Sequence, residues 1–367
     1  MLINKSQILS VLPMNSTIGI FGGGQLGRMI CFSAHKLGYN TVIFSDSGNC
    51  PASFVTDKTI IANYNDQKAL SRFIDKIDIA TFEFENIPVY AVDFIAQNNK
   101  PIYPQSDILR ITQNRLNEKD FLRKNNIGVT DYHHIFSLKD LTDALEKVSS
   151  KAILKTATMG YDGKGQFTLD KNNDAAQVWQ KVCGNQEKSQ MILEEFVEFD
   201  QEISVIVARN LKKESVCYDP LTNIHKSGIL DQSIYPARIN NIIAQKAKQT
   251  AIKIAEALDL VGIMAVEFFV LKNGDLLVNE LAPRPHNSGH FSMDASVTDQ
   301  FEQLVRILVG MPFGNTGFHS TGYMKNLIGS EVDNIDQYLV NDRAKIHLYG
   351  KDKVKEGRKM GHVNILN

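Results

Sequence analysis

Cysteine is scarce in this sequence, and its few cysteines are far apart. The 367 residues include four cysteines, Cys31, Cys50, Cys183 and Cys217, and no C-x-x-C pair. A zinc ribbon or a disulfide framework needs closely grouped cysteines, so neither is indicated. We expect reduced, buried thiols.

Long apolar runs and an excess of charge of either sign are also missing. No stretch reaches the ~20 apolar residues of a transmembrane helix, and polar residues and Pro13 interrupt the N-terminal segment, unlike a signal peptide. We therefore expect a cytoplasmic protein with no membrane partner. The formal net charge is -1, so we expect no nucleic-acid partner either.

The sequence does contain alternating strand and helix patterns over about residues 17–104. Apolar runs such as TIGIF and TVIFS alternate with helical segments such as DQKALSRFIDKI. This alternation predicts a parallel sheet covered by helices on both faces. After about residue 112 the pattern changes. There we predict amphipathic helices and short strands broken by glycines, with a long helix over 239–259, a hairpin over 263–280 and a helix over 299–310.

Three glycines follow the first apolar run. Gly22, Gly24 and Gly27 form G-x-G-x-x-G, and Asp46 lies nineteen residues beyond Gly27, as in dinucleotide-binding proteins. A glycine turn at a helix N-terminus offers backbone N–H groups to any phosphate, however. The motif leaves three alternatives open: a dinucleotide site, a site for another phosphate, or glycines needed only for close helix–strand packing.

A second glycine-rich segment reads AILKTATMGYDGKGQF. Lys155 ends a strand pattern, and Gly160, Gly163 and Gly165 follow it. The segment is not a P-loop, because Lys164 is followed by glycine and no helix pattern begins there. We predict a hairpin of antiparallel strands that folds over a triphosphate, with Lys155 facing its oxygens. The alternative is an ordinary mobile hairpin.

The segment MAVEFFVLKNGDLLVNELA carries a strong hairpin signal. Asn273 and Gly274 separate two apolar runs, which predicts a two-residue turn in which Lys272 pairs with Asp275. The register that such a turn imposes places Glu267 directly opposite Glu280, with Cβ atoms ~5 Å apart.

Two carboxylates that face each other in apolar surroundings repel, so one is protonated or a cation lies between them. Glu267 and Glu280, with the neighbouring amide of Asn279, are the ligand types that Mg²⁺ takes when it also binds phosphates. We favour a divalent metal site. The alternative is that each glutamate is exposed or paired with a lysine.

The loop APRPHNSGH follows this hairpin. It brings Arg284, His286, Asn287 and His290 together between and after two prolines that stiffen the chain. An arginine can bind a planar oxyanion with its fork of N–H groups, and a histidine can orient or transfer a proton. The alternative is a capped polar loop before a helix.

In combination, the lysine strand, the glycine flap and the two-glutamate hairpin resemble the ATP-grasp ligases. Within them the chain is similar to the N5-carboxyaminoimidazole ribonucleotide synthetase family over about residues 15–366. The segments that carry this resemblance are GGGQLGRM, FEFENIP, GYDGKGQ, PLTNIHKSGIL, NELAPRPHNSGH, HLYGK and GRKMGH.

The resemblance implies a fold with α/β and α+β parts. We expect an N-terminal parallel-sheet, Rossmann-like domain over 1–111 on the substrate-phosphate side, and an ATP-grasp domain over 112–312. A mobile glycine-rich flap is expected within it at about 120–192. A small β-rich C-terminal domain over 313–367 is expected to close the ribonucleotide site.

The resemblance also implies a reaction of purine biosynthesis. ATP phosphorylates bicarbonate to carboxyphosphate, and the amine of 5-aminoimidazole ribonucleotide then takes up the carboxyl group. A homodimer is expected. The alternatives are another ATP-grasp ligase, such as a formate-using glycinamide ribonucleotide transformylase or a biotin carboxylase, an NAD-dependent oxidoreductase, or a nucleotide-binding regulator without catalysis.

Residue roles follow from the resemblance as well. The positions that match the ATP site are Arg115, Lys155, Gly160, Tyr161, Asp162, Gly163, Lys164, Gly165, Gln166, Glu194, Glu195, Phe196, Val197, Glu202, His225, Asn279 and Glu280. Glu267 and Glu280 are the implied ligands of one or two Mg²⁺ ions. Lys164 stands where many relatives carry arginine.

The remaining implied residues handle the other substrates. Arg284, His286 and Asn287 form an oxyanion clamp for bicarbonate and carboxyphosphate. Tyr161, Asp162 and Lys164 complete the implied catalytic set, with Asp162 orienting the amine or accepting its proton. The implied ribonucleotide-binding residues are Gly24, Gln25, Leu26, Glu83, Glu85, Lys351 and Arg358. Glu83 and Glu85 are two residues apart and are expected on one face of a strand, and the sequence does not choose between them.

Overall fold

A parallel four-stranded sheet forms the N-terminal part of the molecule. The computed structural model describes residues 11–158, 160, 165–184 and 186–367. The strands of the first sheet are β1 (Thr17–Phe21), β2 (Asn40–Ser45), β3 (Lys58–Ile61) and β4 (Ile79–Phe82). Their order is β3-β2-β1-β4, and all three pairings are parallel. The central strands are almost completely buried, as expected for a sheet covered on both faces. The predicted parallel sheet is confirmed.

A second sheet is antiparallel and contains the glycine-rich hairpin. Its strands are β5 (Tyr132–Ile135), β6 (Lys151–Thr156), β7 (Gln166–Asp170) and β8 (Met191–Glu195). Their order is β5-β8-β6-β7. The antiparallel pairing of β6 with β7 confirms that the glycine-rich segment joins two antiparallel strands.

The largest sheet has nine strands. They are β9 (Phe199–Arg209), β10 (Ser215–Cys217), β11 (Leu221–Lys226), β12 (Ile229–Tyr235), β13 (Gly262–Leu271), β14 (Leu276–Ala282), β15 (Gly322–Ile328), β16 (Ala344–Leu348) and β17 (Lys359–Leu366). The order is β14-β13-β9-β11-β12-β15-β17-β16, and β10 pairs with β9. The three C-terminal strands continue this sheet through the antiparallel pair of β12 with β15.

The helices in the described residues are α1 (Gln25–Lys36), α2 (Gln67–Ile74), α3 (Val89–Gln97), α4 (Ser106–Thr112), α5 (Arg115–Lys124), α6 (Leu138–Leu145), α7 (Ala175–Cys183), α8 (Asn241–Ala257), α9 (Ser292–Ala295), α10 (Gln300–Leu308) and α11 (Asp336–Leu339). Six of them, α2, α5, α6, α7, α8 and α10, begin after a residue whose side chain caps them. Short 3-10 helices cover Pro51–Phe54, Asn287–Phe291 and Gly329–Asn334. The Asn240 side chain accepts a hydrogen bond from the Ile243 N–H at 2.9 Å and so caps α8. The predicted long helix and the predicted helix at 299–310 are confirmed.

One apolar core joins the N-terminal sheet to the large sheet. It contains Met29 of α1, Leu304 of α10, Ile206 of β9 and Ile263 of β13, all buried. Because α1 begins at the carboxyl end of β1, this packing places the glycine turn next to the large sheet. Among the described residues, no helix is long and apolar enough to cross a membrane.

Candidate active site

A cavity of about 560 Å³ lies between the three sheets. Residues from the parallel sheet, from α5, from the glycine-rich hairpin and from the large sheet line it together. The predicted site residues among its lining are Gln25, Leu26, Glu83, Glu85, Arg115, Lys155, Gly160, Gln166, Glu202, His225, Glu267, Asn279, Glu280, Arg284, His286 and Asn287. The structure thus brings together residues that lie more than 260 positions apart in the sequence.

Other predicted residues lie outside the lining or outside the described chain. The lining does not include Gly24, Gly165, Glu194, Glu195, Phe196, Val197, Lys351 and Arg358. Tyr161, Asp162, Gly163 and Lys164, at the tip of the glycine-rich hairpin, lie outside the described residues.

The glycine turn, residues 22–27, already holds a carboxylate of the protein itself. The Gly24 N–H donates to Glu83 Oε1 at 2.7 Å, and the Gly27 N–H donates to Glu83 Oε2 at 3.1 Å. A Cβ atom added at Gly24 would lie 2.5 Å from Glu83 Oε1, so this close approach requires glycine. Burial raises the pKa of Glu83. Two of the backbone donors that the motif offers, those of Gly24 and Gly27, therefore bind a carboxylate of the protein.

The predicted placement of Glu83 and Glu85 on one strand face is wrong. Strand β4 ends at Phe82, and both glutamates follow it in the loop that leads to α3. The loop allows the two side chains to diverge. Glu83 binds the glycine turn, whereas Glu85 forms a two-bond ion pair with Arg284, with Arg284 Nη2 donating to Glu85 Oε1 at 2.9 Å.

Glu267 and Glu280 face each other as predicted, but the predicted two-residue turn is wrong. The Leu271 N–H donates to the Asp275 carbonyl, which leaves a three-residue turn that ends on Gly274 with φ +84°. This turn shifts the register by one residue near the tip of the hairpin. A bulge at Asn279 shifts it back, so that Glu267 is opposite Glu280.

The bulge also determines which side chains reach the cavity. It puts one extra residue into β14, and both Asn279 and Glu280 line the cavity together with Glu267. A regular strand would point neighbouring side chains to opposite faces. The bulge therefore brings the amide of Asn279 to the cavity beside the two carboxylates.

Electrostatics around the two glutamates favour a cation. Burial, together with the charge of Glu280, raises the pKa of Glu267 to about 8. Arg115 Nη1 lies 3.5 Å from Glu280 Oε2, and the ring of His286 places its Nε2 3.6 Å from Glu267 Oε1. Within the described ranges, no cluster of three or more His, Cys, Asp or Glu side chains has metal-site geometry. Two carboxylates and one amide fit Mg²⁺ that takes its remaining ligands from phosphate and water.

Lys155 and Glu194 form a buried ion pair on the nucleotide side of the cavity. Lys155 Nζ contacts Glu194 Oε2, and Lys119 Nζ lies 3.3 Å from Glu194 Oε1. Burial alone raises the pKa of Glu194, but Lys119 and Lys155 outweigh it and lower the pKa to about 2. Glu194 therefore stays ionised and holds Lys155 at the edge of the cavity.

Two further residues predicted for the nucleotide lie on the large sheet, Glu202 on β9 and His225 on β11. Glu202 pairs with Nδ1 of His225, which raises the pKa of that histidine although burial lowers it. Phe196 lies beyond the end of β8, and its side chain is exposed. Phe199 and Phe269 stack at 4.7 Å between ring centroids and line the cavity, a feature the sequence reading missed.

The loop after the hairpin is held by buried polar side chains. The fork of Arg284 binds Glu85, and its Nη1 donates to the Pro285 carbonyl at 3.1 Å, so a planar oxyanion can use only the remaining N–H groups. The Asn287 amide forms a reciprocal pair with Asn326, with Asn287 Nδ2 to Asn326 Oδ1 at 3.0 Å and the reverse bond at 2.6 Å.

His286 is fixed as a neutral ring. Its Nδ1 accepts the Ser288 N–H at 3.3 Å, which leaves the proton of the neutral ring on Nε2, facing Glu267. Burial, and then the charge of Arg284, lowers the pKa of His286 well below its usual value. The ring is therefore suited to donate a hydrogen bond into the cavity.

The two basic C-terminal residues predicted for the ribonucleotide, Lys351 and Arg358, each donate to a main-chain carbonyl. Lys351 Nζ donates to the Lys359 carbonyl at 2.6 Å, and Arg358 Nη1 donates to the Lys353 carbonyl at 3.0 Å. Lys359 lines the cavity and was missed. The basic segment GKDKVKEGRKMGH carried the signal, but its residues could not be ranked without the strand register of β17.

Glu118 and Lys119 were also missed. Both are buried on α5, with Leu116 and Leu122 as neighbours on the same helix face. Burial raises the pKa of Glu118 to about 8. Their signal in the sequence is a pair of charges on the apolar face of an amphipathic helix, a position where charged side chains are rarely found without partners.

Comparison with known proteins gives a consistent family. Residues 14–113 match the ribonucleotide synthetase preATP-grasp domain, residues 120–301 the ATP-grasp domain, and residues 322–367 the phosphoribosylaminoimidazole carboxylase C-terminal domain. The N5-carboxyaminoimidazole ribonucleotide synthase of Brucella melitensis biotype 1 is 43% identical, over 96% of this chain and 96% of that protein.

Solved structures agree with this match. An ADP complex of N5-carboxyaminoimidazole ribonucleotide synthetase superposes with a TM-score of 0.92 and 39% identity, covering 97% of this chain and 94% of that one. The Aspergillus clavatus synthase in complex with ADP and 5-aminoimidazole ribonucleotide gives 0.88 and 28%, covering 96% and 94%. The fold is therefore the ATP-grasp fold, and the chain belongs to the N5-carboxyaminoimidazole ribonucleotide synthase family.

Proposed function

We propose that this protein uses ATP and bicarbonate to carboxylate 5-aminoimidazole ribonucleotide to N5-carboxyaminoimidazole ribonucleotide in purine biosynthesis. The observation that carries the proposal is the pair of facing glutamates, Glu267 and Glu280, in a cavity that also contains Lys155 and Arg284. Support for the substrates comes from the related synthase that binds both ADP and 5-aminoimidazole ribonucleotide.

In the first proposed step, an oxygen of bicarbonate forms a bond to the γ-phosphorus of ATP while the bond to the ADP oxygen breaks. Lys155, held by Glu194, would face the phosphates. Glu267, Glu280 and Asn279 would hold Mg²⁺, which neutralises charge on the transferred phosphoryl group. Arg284 and the Nε2–H of neutral His286 would bind the bicarbonate oxygens.

In the second step, the amine nitrogen of the ribonucleotide bonds to the carboxyl carbon and phosphate leaves. The amine loses a proton, and Asp162 is proposed as its acceptor from the family resemblance. Asn287, fixed by Asn326, would orient the carboxyl group. Gln25, Leu26, Glu83, Glu85, Lys351 and Arg358 are proposed for the ribonucleotide side. A dry cavity is needed because carboxyphosphate hydrolyses readily.

A substrate panel tests the proposal. ADP release from Mg-ATP is measured with bicarbonate, 5-aminoimidazole ribonucleotide, both, or neither. We expect strong stimulation only when both are present. Turnover driven instead by formate and glycinamide ribonucleotide would replace the proposed reaction by that of another ATP-grasp ligase. The homodimer and the cytoplasmic location stay predictions.

A further inference from the structure

The bulge in β14 needs a cause, because it interrupts a ladder that would otherwise be regular. Strand β14 is the last strand of the large sheet and pairs with β13 on its inner side. On its outer side the Val278 N–H donates to the Gly128 carbonyl at 2.8 Å, and the remaining main-chain groups need other partners. At the bulge these groups are the carbonyls of Val278 and Asn279 and the N–H of Leu281.

Two buried side chains of α5 bind these groups. Lys119 Nζ donates to the Val278 carbonyl at 3.1 Å and to the Asn279 carbonyl at 2.9 Å. The Leu281 N–H donates to Glu118 Oε2 at 3.1 Å. We call Glu118 and Lys119 the α5 clamp. It grips the main chain on both sides of Glu280.

The ammonium group of Lys119 is held by groups of the protein itself. It donates hydrogen bonds to the two carbonyls and lies in ion-pair contact with Glu194, 3.3 Å from Oε1. Its side chain is 1% exposed, and it does not line the cavity. Lys119 therefore cannot touch a ligand and acts through the residues that it holds.

Its partners belong to two halves of the site. Glu194 holds Lys155 on the nucleotide side, whereas the two carbonyls fix Asn279 and Glu280 on the metal side. The ammonium group of Lys119 thus connects Lys155, which is proposed to bind the phosphates, to Glu280, which is proposed to bind the metal.

We propose that Lys119 is a positioning residue that maintains the β14 bulge and thereby aims Asn279 and Glu280 at the metal. Without Lys119, the carbonyls of Val278 and Asn279 lose the ammonium group that donates to them. A regular register of β14 then becomes more stable than the bulge, and this register turns one of the two side chains away from the cavity. The inference rests on the proposed function, because it assumes that these side chains take the metal.

The test measures the affinity of the full-length protein for Mn²⁺ in the presence of ADP. Binding is monitored by the decrease in the spectroscopic signal of free Mn²⁺. Outer-sphere partners of metal ligands typically change metal affinity about 10- to 100-fold. Lys119→Met is expected to weaken Mn²⁺ binding at least tenfold. Lys253→Met is the matched control, because Lys253 also donates to a backbone carbonyl, that of Asn126 at 3.1 Å, and neither residue lines the cavity.

Binding of ADP in EDTA separates positioning from general loosening. The clamp predicts a larger loss for Mn²⁺ than for ADP, whereas a loosened cavity weakens both alike. Equal losses, or a Mn²⁺ affinity within twofold of wild type, would overturn the proposal. Because the assay needs neither bicarbonate nor ribonucleotide, a negative result here leaves the proposed reaction standing.

If Lys119→Met does not fold, a second variant tests the proposal. Lys119→Arg keeps the charge, but a planar guanidinium cannot point at three acceptors arranged around an ammonium. We expect a partial loss of Mn²⁺ affinity, at least threefold, with the fold intact. Unchanged Mn²⁺ affinity in a folded Lys119→Arg protein would contradict the proposal.

Discussion

The glycine turn at residues 22–27 and the glutamate hairpin at 262–282 differ in how their polar and charged groups are paired. In the turn, the backbone N–H groups of Gly24 and Gly27 are bound by Glu83, so the site that the motif offers to an anion is filled by the chain itself. In the hairpin, Glu267 and Glu280 face each other, and burial together with the charge of Glu280 raises the pKa of Glu267.

The comparison shows that a motif specifies donors but not their occupant. The more familiar pattern, G-x-G-x-x-G, leads to an internally satisfied turn. The less familiar pair of glutamates leads to a place where charge remains to be balanced by a ligand. Arg284 and Glu85 join the two regions, since Glu85 follows β4 and Arg284 follows β14.

The largest effect is expected from removing one of the two carboxylate charges of the hairpin. Glu280→Gln removes one of the two facing carboxylates and should lower ATP turnover at least about 100-fold, since a direct metal ligand matters more than an outer-sphere one. The measurement is steady-state ADP release at saturating Mg²⁺. Glu198→Gln, an exposed glutamate paired with Lys272, is the control and should retain activity. Full activity of Glu280→Gln would contradict the proposal that Glu280 binds a metal needed for turnover.

The bridge between the two regions gives the next largest effect. Arg284→Lys keeps the charge but loses the two-bond fork to Glu85, and charged hydrogen bonds of this kind contribute about 1.5–3 kcal/mol. We expect kcat/KM for bicarbonate to fall roughly 10- to 100-fold. Arg306→Lys, which alters a pair with Glu302 outside the cavity, is the matched control. Equal effects of both substitutions would refute a special role for the bridge.

Breaking the glycine turn should affect stability. Gly24→Ala places a Cβ atom against the Glu83 carboxylate, and such overpacking typically destabilises a protein by about 1–3 kcal/mol. Urea unfolding followed by circular dichroism gives the difference. Adding Glu83→Ala should remove part of that loss, so the two changes should not be additive. Strict additivity would mean that Glu83 is not what requires glycine here.

The smallest effect concerns the carboxyl of Glu118 behind the hairpin. Burial raises its pKa to about 8, above the ~4.3 of an unfolded glutamate, so the folded state binds the extra proton. Stability from this group is present at low pH and is lost as pH rises toward 8. Glu118→Gln should reduce the decrease in unfolding free energy between pH 5 and pH 8 by about 1–3 kcal/mol.

Unfolding of this variant is measured in EDTA at several pH values. The exposed residue Glu256 on α8 provides the control through Glu256→Gln, which should leave the slope unchanged. The same slope in Glu118→Gln and wild type would show that Glu118 is ionised in the folded protein.

Sequence patterns predicted the fold well where one interaction dominates. The parallel sheet, the antiparallel hairpin around the glycine-rich segment and helix α8 all follow from apolar periodicity, turn residues and caps. The opposition of Glu267 and Glu280 was predicted correctly through a partly wrong route. A three-residue turn and a bulge each shift the register by one residue, and the two shifts cancel.

What the sequence could not supply depends on contacts between distant segments. Nothing in FEFEN indicates that Glu83 fills the glycine turn while Glu85 binds an arginine about 200 residues later. Lys119 shows the same limit. Its buried charge on α5 was visible as an anomaly, but its partners, two carbonyls of β14 and Glu194, appear only in the folded chain.

The most direct test traces a labelled oxygen atom from bicarbonate to the released phosphate. Bicarbonate labelled with ¹⁸O is supplied with Mg-ATP and 5-aminoimidazole ribonucleotide, and the released phosphate is analysed by mass spectrometry. If bicarbonate is activated by phosphorylation, the new P–O bond carries a bicarbonate oxygen, so each phosphate released should contain one ¹⁸O. Carboxylated ribonucleotide formed with unlabelled phosphate would contradict the account.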